Sequence, residues 1–387
     1  MTKILFIIPK LNGGGAEKVV SNLSHDLSMH YDVHIAVFDN SDQTYDCTGT
    51  IHDLKIPAQK KYFNKILNIY KRYKKIKTIK KNHDFVASIS FLDGPHLINA
   101  MTRRREKIIV SIRNNISMEN KSFLRLLILK YIFKVANKIV AISSDVKNDI
   151  INLKLSKSDK IDVIYNSVNS NLIRKLADTE INFNFEPNAH YLINVGRLTF
   201  QKGQWNLIQV FSELIKIKSN VYLLIAGTGE LKEKLVNYCE YLGIQDKVIF
   251  LGYVSNPYPF IRKSDIFTFS SNFEGLGNSI LESLALSTTV ISTDCKSGPR
   301  EILDPGNNEI LLDYKIAKYG ILTPIMESSF DFLNQELSKS QKIYLEAILK
   351  VLSEKEIQDY YKKNSEIRIS DFSPEKIANE WIKIINK

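Results

Sequence analysis

Short apolar runs alternate with longer amphipathic segments along most of the chain, and this alternation limits the possible folds more than any other sequence feature. Apolar runs of strand length separated by helix-length segments predict parallel strands that helices cover on both faces of a sheet. The first series of such runs comprises residues 4–8, 33–38, 85–90, 107–112, 138–142 and 160–165, and the second comprises 190–195, 221–226, 247–251, 266–269 and 289–292.

Two such series in one chain of 387 residues predict two domains, because a single hydrophobic core rarely grows to that size. The predicted fold class is α/β, with two doubly wound, Rossmann-like domains that face each other across a cleft. A polar, irregular stretch at 170–188 separates the two series, so the domains are predicted at 1–185 and 186–373. Ligands of such sheets bind at the carboxyl ends of the strands, which makes the cleft the expected site.

The cysteine content and the first residues of the chain favour a cytoplasmic protein. Cys47, Cys239 and Cys295 have no paired spacing, so neither a disulfide framework nor a zinc cluster is expected. The apolar run at 4–8 is short, ends at Pro9 and lacks a small-residue cleavage pattern, so it predicts a strand rather than a signal peptide. No apolar run is long enough to predict a membrane-spanning helix.

The formal net charge of +11 makes nucleic acid and anionic membranes the two partner classes to consider. Nucleic acid is not expected, because no aromatic-rich RNA motif or zinc-ligand spacing is present. Segment 60–81 has apolar residues at helical spacing and lysines on its other side, which predicts a helix that packs on the sheet and exposes a basic face. A second interpretation adds that this face rests on anionic lipid headgroups. For the more apolar segment 123–135, core packing is the first interpretation and a membrane or acceptor-lipid surface the second.

The stretch 270–282, Ser-Ser-Asn-Phe-Glu-Gly-Leu-Gly-Asn-Ser-Ile-Leu-Glu, lies between a predicted strand and a predicted helix. The first N–H groups of a helix lack internal acceptors and carry partial positive charge, so a glycine-rich turn at this place predicts an anion site. Glu274 and Glu282 bracket the turn, and carboxylates suit the hydroxyls of a sugar and of a ribose at the two ends of a diphosphate. The alternative is an ordinary strand–helix turn with two surface glutamates.

Two further strand ends carry groups that suit phosphate. A glycine turn at 12–15 joins the first strand to a predicted helix, which is typical of nucleotide-binding units, although it matches neither G-x-G-x-x-G nor a P-loop. After the strand at 190–195, Arg197 and Lys202 place a guanidinium and an ammonium five residues apart, an arrangement that suits a diphosphate. The alternatives are a tight turn without a ligand and a polar loop with two solvated cations.

Four segments, in the same order along the chain, resemble the retaining glycosyltransferases of family 4, which have the two-domain GT-B fold. They are Gly13-Gly14-Gly15-Ala16-Glu17, Val195-Gly196-Arg197-Leu198 with Lys202-Gly203, residues 273–282 with their E-x7-E spacing, and Ser297-Gly298-Pro299-Arg300-Glu301-Ile302. The resemblance implies a hexosyltransferase that moves a hexose or N-acetylhexosamine from a nucleotide sugar, expected to be a UDP-sugar, to an acceptor hydroxyl with retention of configuration.

The resemblance also implies roles for individual residues. Glu274, Arg197 and Lys202 are the expected catalytic residues: Glu274 contacts the transferred sugar, and the two cations neutralise the departing diphosphate. Glu282 would hold the ribose hydroxyls. The other donor-binding residues are expected to act mainly through their backbones, and they are Gly14 and Gly15 in the first domain and Gly196, Gly227, Thr228, Tyr253, Val254, Leu276, Gly277, Asn278 and Ser279 in the second.

Two expectations concern the acceptor side and the end of the chain. Many members of the family have a histidine near the end of the strand at 107–112, where this chain has Arg113 and Asn114. These two residues are therefore the acceptor-side candidates, and no catalytic histidine is assigned. The last segment, 374–387, is expected to cross back onto the first domain, as the final helix does in GT-B proteins.

No D-x-D sequence occurs, so no metal and no cofactor are expected, and Arg197 and Lys202 stand in place of a cation. The basic helices favour a lipid-linked saccharide acceptor, as in O-antigen, capsule or related glycan assembly, with the protein peripheral at the inner face of the cell membrane. Two alternatives stay open. One is a GT-B sugar epimerase or a phosphorylase, and the other is a basic membrane- or nucleic-acid-binding protein without enzymatic activity.

Overall fold

The computed structural model describes residues 1–58, 62–119, 122–326 and 336–386. The chain forms two compact units: unit 1 comprises Met1–Ser167 and Pro374–Lys387, and unit 2 comprises Val168–Ser373. Each unit is a parallel, doubly wound sheet with helices on its faces, which confirms the predicted α/β fold class.

Unit 1 contains a sheet of seven described strands, all parallel. The strands are β1 (Lys3–Ile8), β2 (Asp32–Val37), β3 (Thr50–Asp53), β4 (Phe85–Phe91), β5 (Lys107–Ile112), β6 (Lys138–Ala141) and β7 (Ile161–Val163), in the spatial order β3-β2-β1-β4-β5-β6-β7. The helices are α1 (Gly15–Leu27), α2 (Tyr62–Asn82), α3 (Asp93–Met101), α4 (Phe123–Val135) and α5 (Ser144–Asn152), together with the last helix of the chain, α14 (Pro374–Asn386). Residues 4–8 of the central strand β1 are fully buried, as expected for a strand covered on both faces.

Helix α14 belongs to unit 1 although it follows unit 2 in the sequence. Trp381 and Ile384 are buried in the same hydrophobic cluster as residues of α1 and β1. The Lys107 ammonium donates to the carbonyl oxygens of Ile384 (3.2 Å) and Ile385 (2.8 Å), so it satisfies acceptors that the end of a helix leaves open. The segment expected to cross back, 374–387, is thus a helix at 374–386, and Lys387 lies outside the described residues.

Unit 2 has the same strand pattern, with one short antiparallel strand at its edge. The strands are β8 (His190–Val195), β9 (Val221–Ala226), β10 (Val248–Gly252), β11 (Ile266–Phe269), β12 (Thr289–Thr293), β13 (Lys315–Ile316) and β14 (Ile321–Thr323), in the spatial order β10-β9-β8-β11-β12-β14-β13. The helices are α6 (Ser170–Ala177), α7 (Gln204–Ile217), α8 (Lys232–Tyr241), α9 (Tyr258–Lys263), α10 (Asn278–Ala285), α11 (Pro299–Leu303), α12 (Lys339–Ser353) and α13 (Lys355–Ile369).

The units divide between Ser167 and Val168, which differs from the boundary expected at 185/186. The segment predicted to be irregular begins with α6, and α6 packs on α9 and α10 of unit 2. Arg174 Nε donates to the Ala285 carbonyl (3.0 Å), and Asn256 Nδ2 donates to the Leu176 carbonyl (2.8 Å). These contacts join distant parts of the sequence, and a polar composition does not indicate them.

Strand β3 lies in a stretch, 39–58, where no strand was expected. It is an edge strand of the sheet, and its four residues are exposed or half-buried. A short edge strand needs no continuous apolar run, because one of its sides and much of its surface face water.

The exposed faces of α2 and α4 differ from the pattern expected of core helices. In α4, Phe123, Leu124 and Leu127 are 77%, 66% and 48% exposed, so the core-packing interpretation holds only for the opposite side of the helix. In α2, Ile66 and Tyr70 are also exposed. Residues 59–61, where the basic helix was expected to begin, lie outside the described residues. Among the helices that the structure describes, none is both long and apolar enough to span a membrane.

Candidate active site

The strand order of unit 2 places a topological switch point between β8 and β11. From β8 the chain continues to β9 and β10 on one side, whereas β11 leads to β12 on the other side. The loops that follow β8 and β11 therefore leave neighbouring strands in opposite directions. In sheets of this type, ligands bind in the crevice that such a divergence opens at the carboxyl ends of the strands.

Hydrogen bonds to backbone carbonyl groups join the two loops at the switch point. Asn272 N donates to the Gln201 carbonyl (2.8 Å), and the Ser270 hydroxyl donates to the Lys202 carbonyl (2.9 Å). Gly203 has a φ of +61°, and a Cβ at this position would lie 2.3 Å from the Ser270 carbonyl oxygen. Only glycine allows both this backbone conformation and this close approach.

The docking of these loops brings together two of the predicted catalytic residues. Lys202 Nζ lies 2.5 Å from Glu274 Oε1, and both side chains are largely buried. The Ser271 hydroxyl (2.7 Å) and Gln201 Nε2 (3.3 Å) also donate to the Glu274 carboxylate. A buried carboxylate is stable only when it is paired and hydrogen-bonded, and these three donors meet that requirement.

The third predicted catalytic residue, Arg197, lies two residues after the end of β8 and is exposed. Within the part of the chain that the structure describes, its guanidinium makes no hydrogen bond or ion pair. Loop 196–203 therefore contains one cation engaged with a carboxylate and one that is available to an anionic ligand.

The glycine turn after β9 lies against the loop after β8. Leu198 N donates to the Thr228 carbonyl (2.9 Å). A Cβ at Gly227 would lie 1.9 Å from the Gly196 carbonyl oxygen, so the two predicted donor-binding glycines are in direct backbone contact. Thr228 is exposed at the edge of the sheet.

The turn after β10 completes this row of loops. Gly227 N donates to the Gly252 carbonyl (2.7 Å), which places Tyr253 and Val254 next to the β9 turn. Tyr253 is 65% exposed and Val254 is half-buried. The residues predicted to line the base thus follow β9 and β10, and the predicted diphosphate and sugar residues follow β8 and β11.

Helix α10 begins at Asn278, directly after Gly277, whose φ is +92°. Leu276 and Gly277 are buried, and Asn278 and Ser279 are half-buried. Glu282 lies one turn into the helix and is also buried, with 8% of its surface exposed. The interpretation of Glu274 and Glu282 as two surface glutamates is therefore wrong.

Sequence reasoning assigned no role to the loop after β12, yet the backbone of this loop contacts the segment that contains Glu274. Glu274 N donates to the Lys296 carbonyl (3.1 Å), and a Cβ at Gly298 would lie 1.8 Å from the Leu276 carbonyl oxygen. Burial, and then the charge of Glu274, raise the pKa of the Cys295 thiol well above its usual value, so the thiol stays protonated. The family-like segment 297–302 was the only sequence signal for this loop.

The predicted residues of unit 1 lie in loops and helix ends of that unit. Gly14 is the N-cap of α1 and Gly15 is its first residue. Arg113 Nη1 donates to the Ser111 hydroxyl (3.3 Å), and burial lowers the Arg113 pKa to about 9, so the guanidinium remains charged at neutral pH. Asn114 Nδ2 donates to Glu119 Oε1 (3.2 Å).

Comparisons with known proteins identify the family of the chain. Residues 178–318 match the family model described as glycosyl transferases group 1, and residues 13–172 match glycosyltransferase family 4. The chain is 34% identical, over 331 residues, to an uncharacterized glycosyltransferase of Methanocaldococcus jannaschii, and the match covers 82% of this chain and 80% of the relative.

Two further similarities span the full length of both chains. Over 407 residues the chain is 28% identical to the N-acetylgalactosamine-N,N'-diacetylbacillosaminyl-diphospho-undecaprenol 4-alpha-N-acetylgalactosaminyltransferase of Campylobacter jejuni. The crystal structure of Anabaena HepE in complex with UDP and glucose has the same fold, with a TM-score of 0.78 at 16% identity.

Proposed function

The chain belongs to glycosyltransferase family 4, with the GT-B fold, and we propose that it transfers a hexose or N-acetylhexosamine from a UDP-sugar to a hydroxyl of a lipid-linked saccharide, with retention of configuration. The observation that carries this proposal is the pairing of Lys202 with the buried Glu274 at the switch point of unit 2. The donor class is supported by the UDP and glucose named in the HepE structure, and the acceptor class by the diphospho-undecaprenol in the name of the Campylobacter relative.

The donor diphosphate would bind at loop 196–203 and at the start of α10. Arg197 is exposed and available for a bidentate contact with phosphate oxygens. The backbone amides around Leu276, Gly277 and Ser279 would add the helix N-terminus to the same anion site. The interactions of the Arg197 guanidinium and of these amides with the diphosphate become stronger as negative charge develops on the leaving group. They therefore stabilise the transition state more than the bound substrate.

Glu274 and Glu282 would hold the two sugars of the donor. Glu274 already accepts hydrogen bonds from Lys202, Ser271 and Gln201, so its carboxylate has a fixed orientation before a ligand arrives. An oriented carboxylate can accept hydrogen bonds from the hydroxyls of the transferred sugar without further ordering. Glu282, buried in α10, would accept from the ribose hydroxyls.

In the proposed step, the acceptor oxygen attacks the anomeric carbon on the face that the diphosphate leaves. The bond from the anomeric carbon to the diphosphate oxygen breaks, and its electron pair goes to the nucleoside diphosphate. The acceptor proton passes to a diphosphate oxygen, and the glycosidic bond forms with retained configuration. We propose that this step needs no metal ion, because Arg197 and Lys202 supply the positive charge that the leaving group requires.

The surface of unit 1 supports contact with an anionic membrane that carries the acceptor. Helix α4 exposes Phe123, Leu124 and Leu127, and its exposed lysines, Lys130 and Lys134, lie on the same short helix. Apolar side chains flanked by lysines suit the boundary between acyl chains and anionic headgroups.

We expect the protein to sediment with vesicles of phosphatidylglycerol more than with vesicles of phosphatidylcholine. A Phe123→Ser, Leu124→Ser double variant should lose this binding, and equal sedimentation with both lipids would contradict the proposal.

The test of the transferase proposal is product formation with a panel of nucleotide sugars and polyprenyl-diphosphate-linked saccharides, with and without EDTA. We expect a UDP-sugar to give product at the same rate in EDTA. Glu274→Gln should lower the rate by about 100-fold or more, since it removes one preorganised polar contact at the reacting sugar. Glu233→Gln, a change of an exposed glutamate in the same unit, is the control and should behave as the wild type. Equal rates for Glu274→Gln and Glu233→Gln would refute the assignment.

A further inference from the structure

Three histidines meet at one edge of the sheet in unit 1, and none of them belongs to the proposed active site. His34 lies on β2, His52 on the edge strand β3, and His83 between α2 and β4. One ring nitrogen from each lies within 4.8 Å of the other two. The ligand atoms of these three histidines therefore lie close enough together to hold a metal ion.

The parallel register of β2 and β3 explains why two of the rings converge. His34 is paired with Thr50 and His52 with Ala36, so the two histidines lie on the same face of adjacent strands, two positions apart. His34 Nδ1 is 2.9 Å from His52 Nε2. The His83 ring centroid lies 4.8 Å from that of His34 and 5.6 Å from that of His52.

A carboxylate orients the buried member of the group. His34 Nε2 lies 3.4 Å from Asp32 Oδ2, so the Nε2–H group can donate to this carboxylate and leave the Nδ1 lone pair directed at the His52 ring. Metal-ligating histidines are characteristically oriented by a carboxylate on their other nitrogen in this way.

We propose that His34, His52 and His83 form a site for a divalent transition-metal ion of the zinc class, with Asp32 as a positioning residue. Three imidazole nitrogens without thiolates suit Zn²⁺, Co²⁺, Ni²⁺ or Cu²⁺ rather than Mg²⁺ or Ca²⁺, and a water would complete a four-coordinate site. The ion would tie the edge strand β3, which pairs on one side only, to β2 and to the end of α2. Its role is structural, and all of its ligands belong to unit 1, whereas Glu274, Arg197 and Lys202 belong to unit 2.

The test is metal binding by the untagged full-length chain after removal of metal with EDTA. We expect one equivalent of Co²⁺ to bind with a visible d–d absorption band, and Zn²⁺ to displace it. Saturating Zn²⁺ should also raise the melting temperature by about 5 °C, because the ion binds the folded state only. His52→Gln and His83→Gln should each weaken binding by about 100-fold or more, and Asp32→Asn by about 10-fold.

The control is His30→Gln, a change of an exposed histidine in the same unit, which should bind as the wild type does. Melting of the metal-free variants shows that each one folds, and His52 and His83 are both only half-buried, so their replacement leaves the core intact. Absence of saturable Co²⁺ and Zn²⁺ binding, or equal affinity in His83→Gln and His30→Gln, would show that the rings are only a hydrogen-bonded cluster. None of these readouts depends on glycosyl transfer, so they stand or fall separately from the proposed activity.

Discussion

Arg197 and Lys202 are close in sequence, but only Lys202 is paired with a carboxylate in the absence of a ligand. Arg197 is exposed and its guanidinium is available, whereas Lys202 is bound to the buried carboxylate of Glu274. Arg197→Ala should therefore lower kcat by about 100- to 1,000-fold and leave the free energy of unfolding unchanged. Lys202→Met should lower kcat and also destabilise the protein by about 3 kcal/mol, because it leaves a buried charge without its partner.

These outcomes are measured by steady-state kinetics and urea unfolding of the same preparations. Lys232→Ala, which removes an exposed lysine in the same unit, is the control for general loss of positive charge. Equal loss of stability in Arg197→Ala and Lys202→Met would contradict the distinction between an available cation and a paired one.

The buried histidine His96 makes the stability of the protein depend on pH. His96 is fully buried in α3, accepts or donates a hydrogen bond with the Ser90 hydroxyl at 2.9 Å, and has its pKa lowered by burial to about 4. Because the folded pKa lies below the ordinary value of about 6.5, the unfolded chain takes up a proton first as the pH falls. Stability from the neutral ring is complete above pH 6.5 and is lost between pH 6.5 and 4, by about 3 kcal/mol.

The measurement is urea unfolding from pH 4 to 7 for the wild type and His96→Gln. Between pH 6.5 and 4, the free energy of unfolding of the wild type should decrease more steeply with falling pH than that of the variant. The difference in slope should correspond to the uptake of up to one additional proton on unfolding. Parallel curves would mean that His96 does not titrate as a buried neutral ring.

Individual residues show how far sequence reasoning can reach. Glu274, Lys202 and Arg197 could be named because they belong to short segments with a family resemblance and a chemical reason for each residue type. Ser271 and Gln201 could not, because their contacts with Glu274 depend on how the loops after β8 and β11 dock. The proximity of His34 and His52 could not be predicted for the same reason, since strand register and not sequence spacing brings them together.

At the scale of elements, the loops of unit 2 depend on close backbone contact. Gly203 and Gly243 have nearly the same backbone conformation, with φ of +61° and +68°, but only Gly203 faces a backbone oxygen, and Gly243 faces open space. Gly243→Ala should cost only about 1 kcal/mol for the left-handed conformation. Gly203→Ala should cost more and should also lower kcat/KM by about 10-fold or more, since the loop that carries Lys202 must move.

Thermal melts and kinetics of the two alanine variants check this expectation. Because the conformational cost is shared, the difference between the variants isolates the contact with Ser270. Indistinguishable kcat/KM values would show that the approach of the two loops has no part in activity.

The elements themselves divide into those that the sequence predicts and those that it does not. The buried central strands could be placed because their apolar runs match the burial of a parallel sheet. The edge strand β3 and the helix α6 lack that signal, since exposed or polar residues form them and contacts from distant elements stabilise them. Segment 123–135 was expected to pack in the core, but helix α4 exposes Phe123 and Leu124, because periodicity alone cannot distinguish a core face from an exposed one.

At the scale of the whole molecule, the chain returns to unit 1 after completing unit 2, so the stability of unit 1 depends on its last residues. Trp381 is 1% exposed in the same cluster as the core of β1 and α1. Trp381→Ala should destabilise unit 1 by about 3–5 kcal/mol, the usual cost of removing a large buried side chain. Deletion of 374–387 should prevent unit 1 from folding.

Circular dichroism melts and limited proteolysis of the full-length variants test this dependence. Asn379→Ala changes an exposed residue of the same helix and serves as the control. A deletion variant that melts like the wild type would contradict the assignment of α14 to the core of unit 1. The two-domain architecture could be predicted from the repeated strand series, but the return of the last helix could be expected only from family resemblance, because one amphipathic helix does not indicate which sheet it covers.

We propose that the loops at the carboxyl edge of the unit 2 sheet bind a nucleoside diphosphate sugar. The most direct measurement is the melting temperature in the presence of UDP, GDP, ADP and a set of UDP-sugars, since a ligand of the folded state raises it with concentration. UDP and at least one UDP-sugar should raise the melting temperature of the wild type and of Lys232→Ala, and Arg197→Ala should lose most of the effect. If no nucleoside diphosphate raises it, or if Arg197→Ala responds as the wild type does, the donor does not bind at this edge.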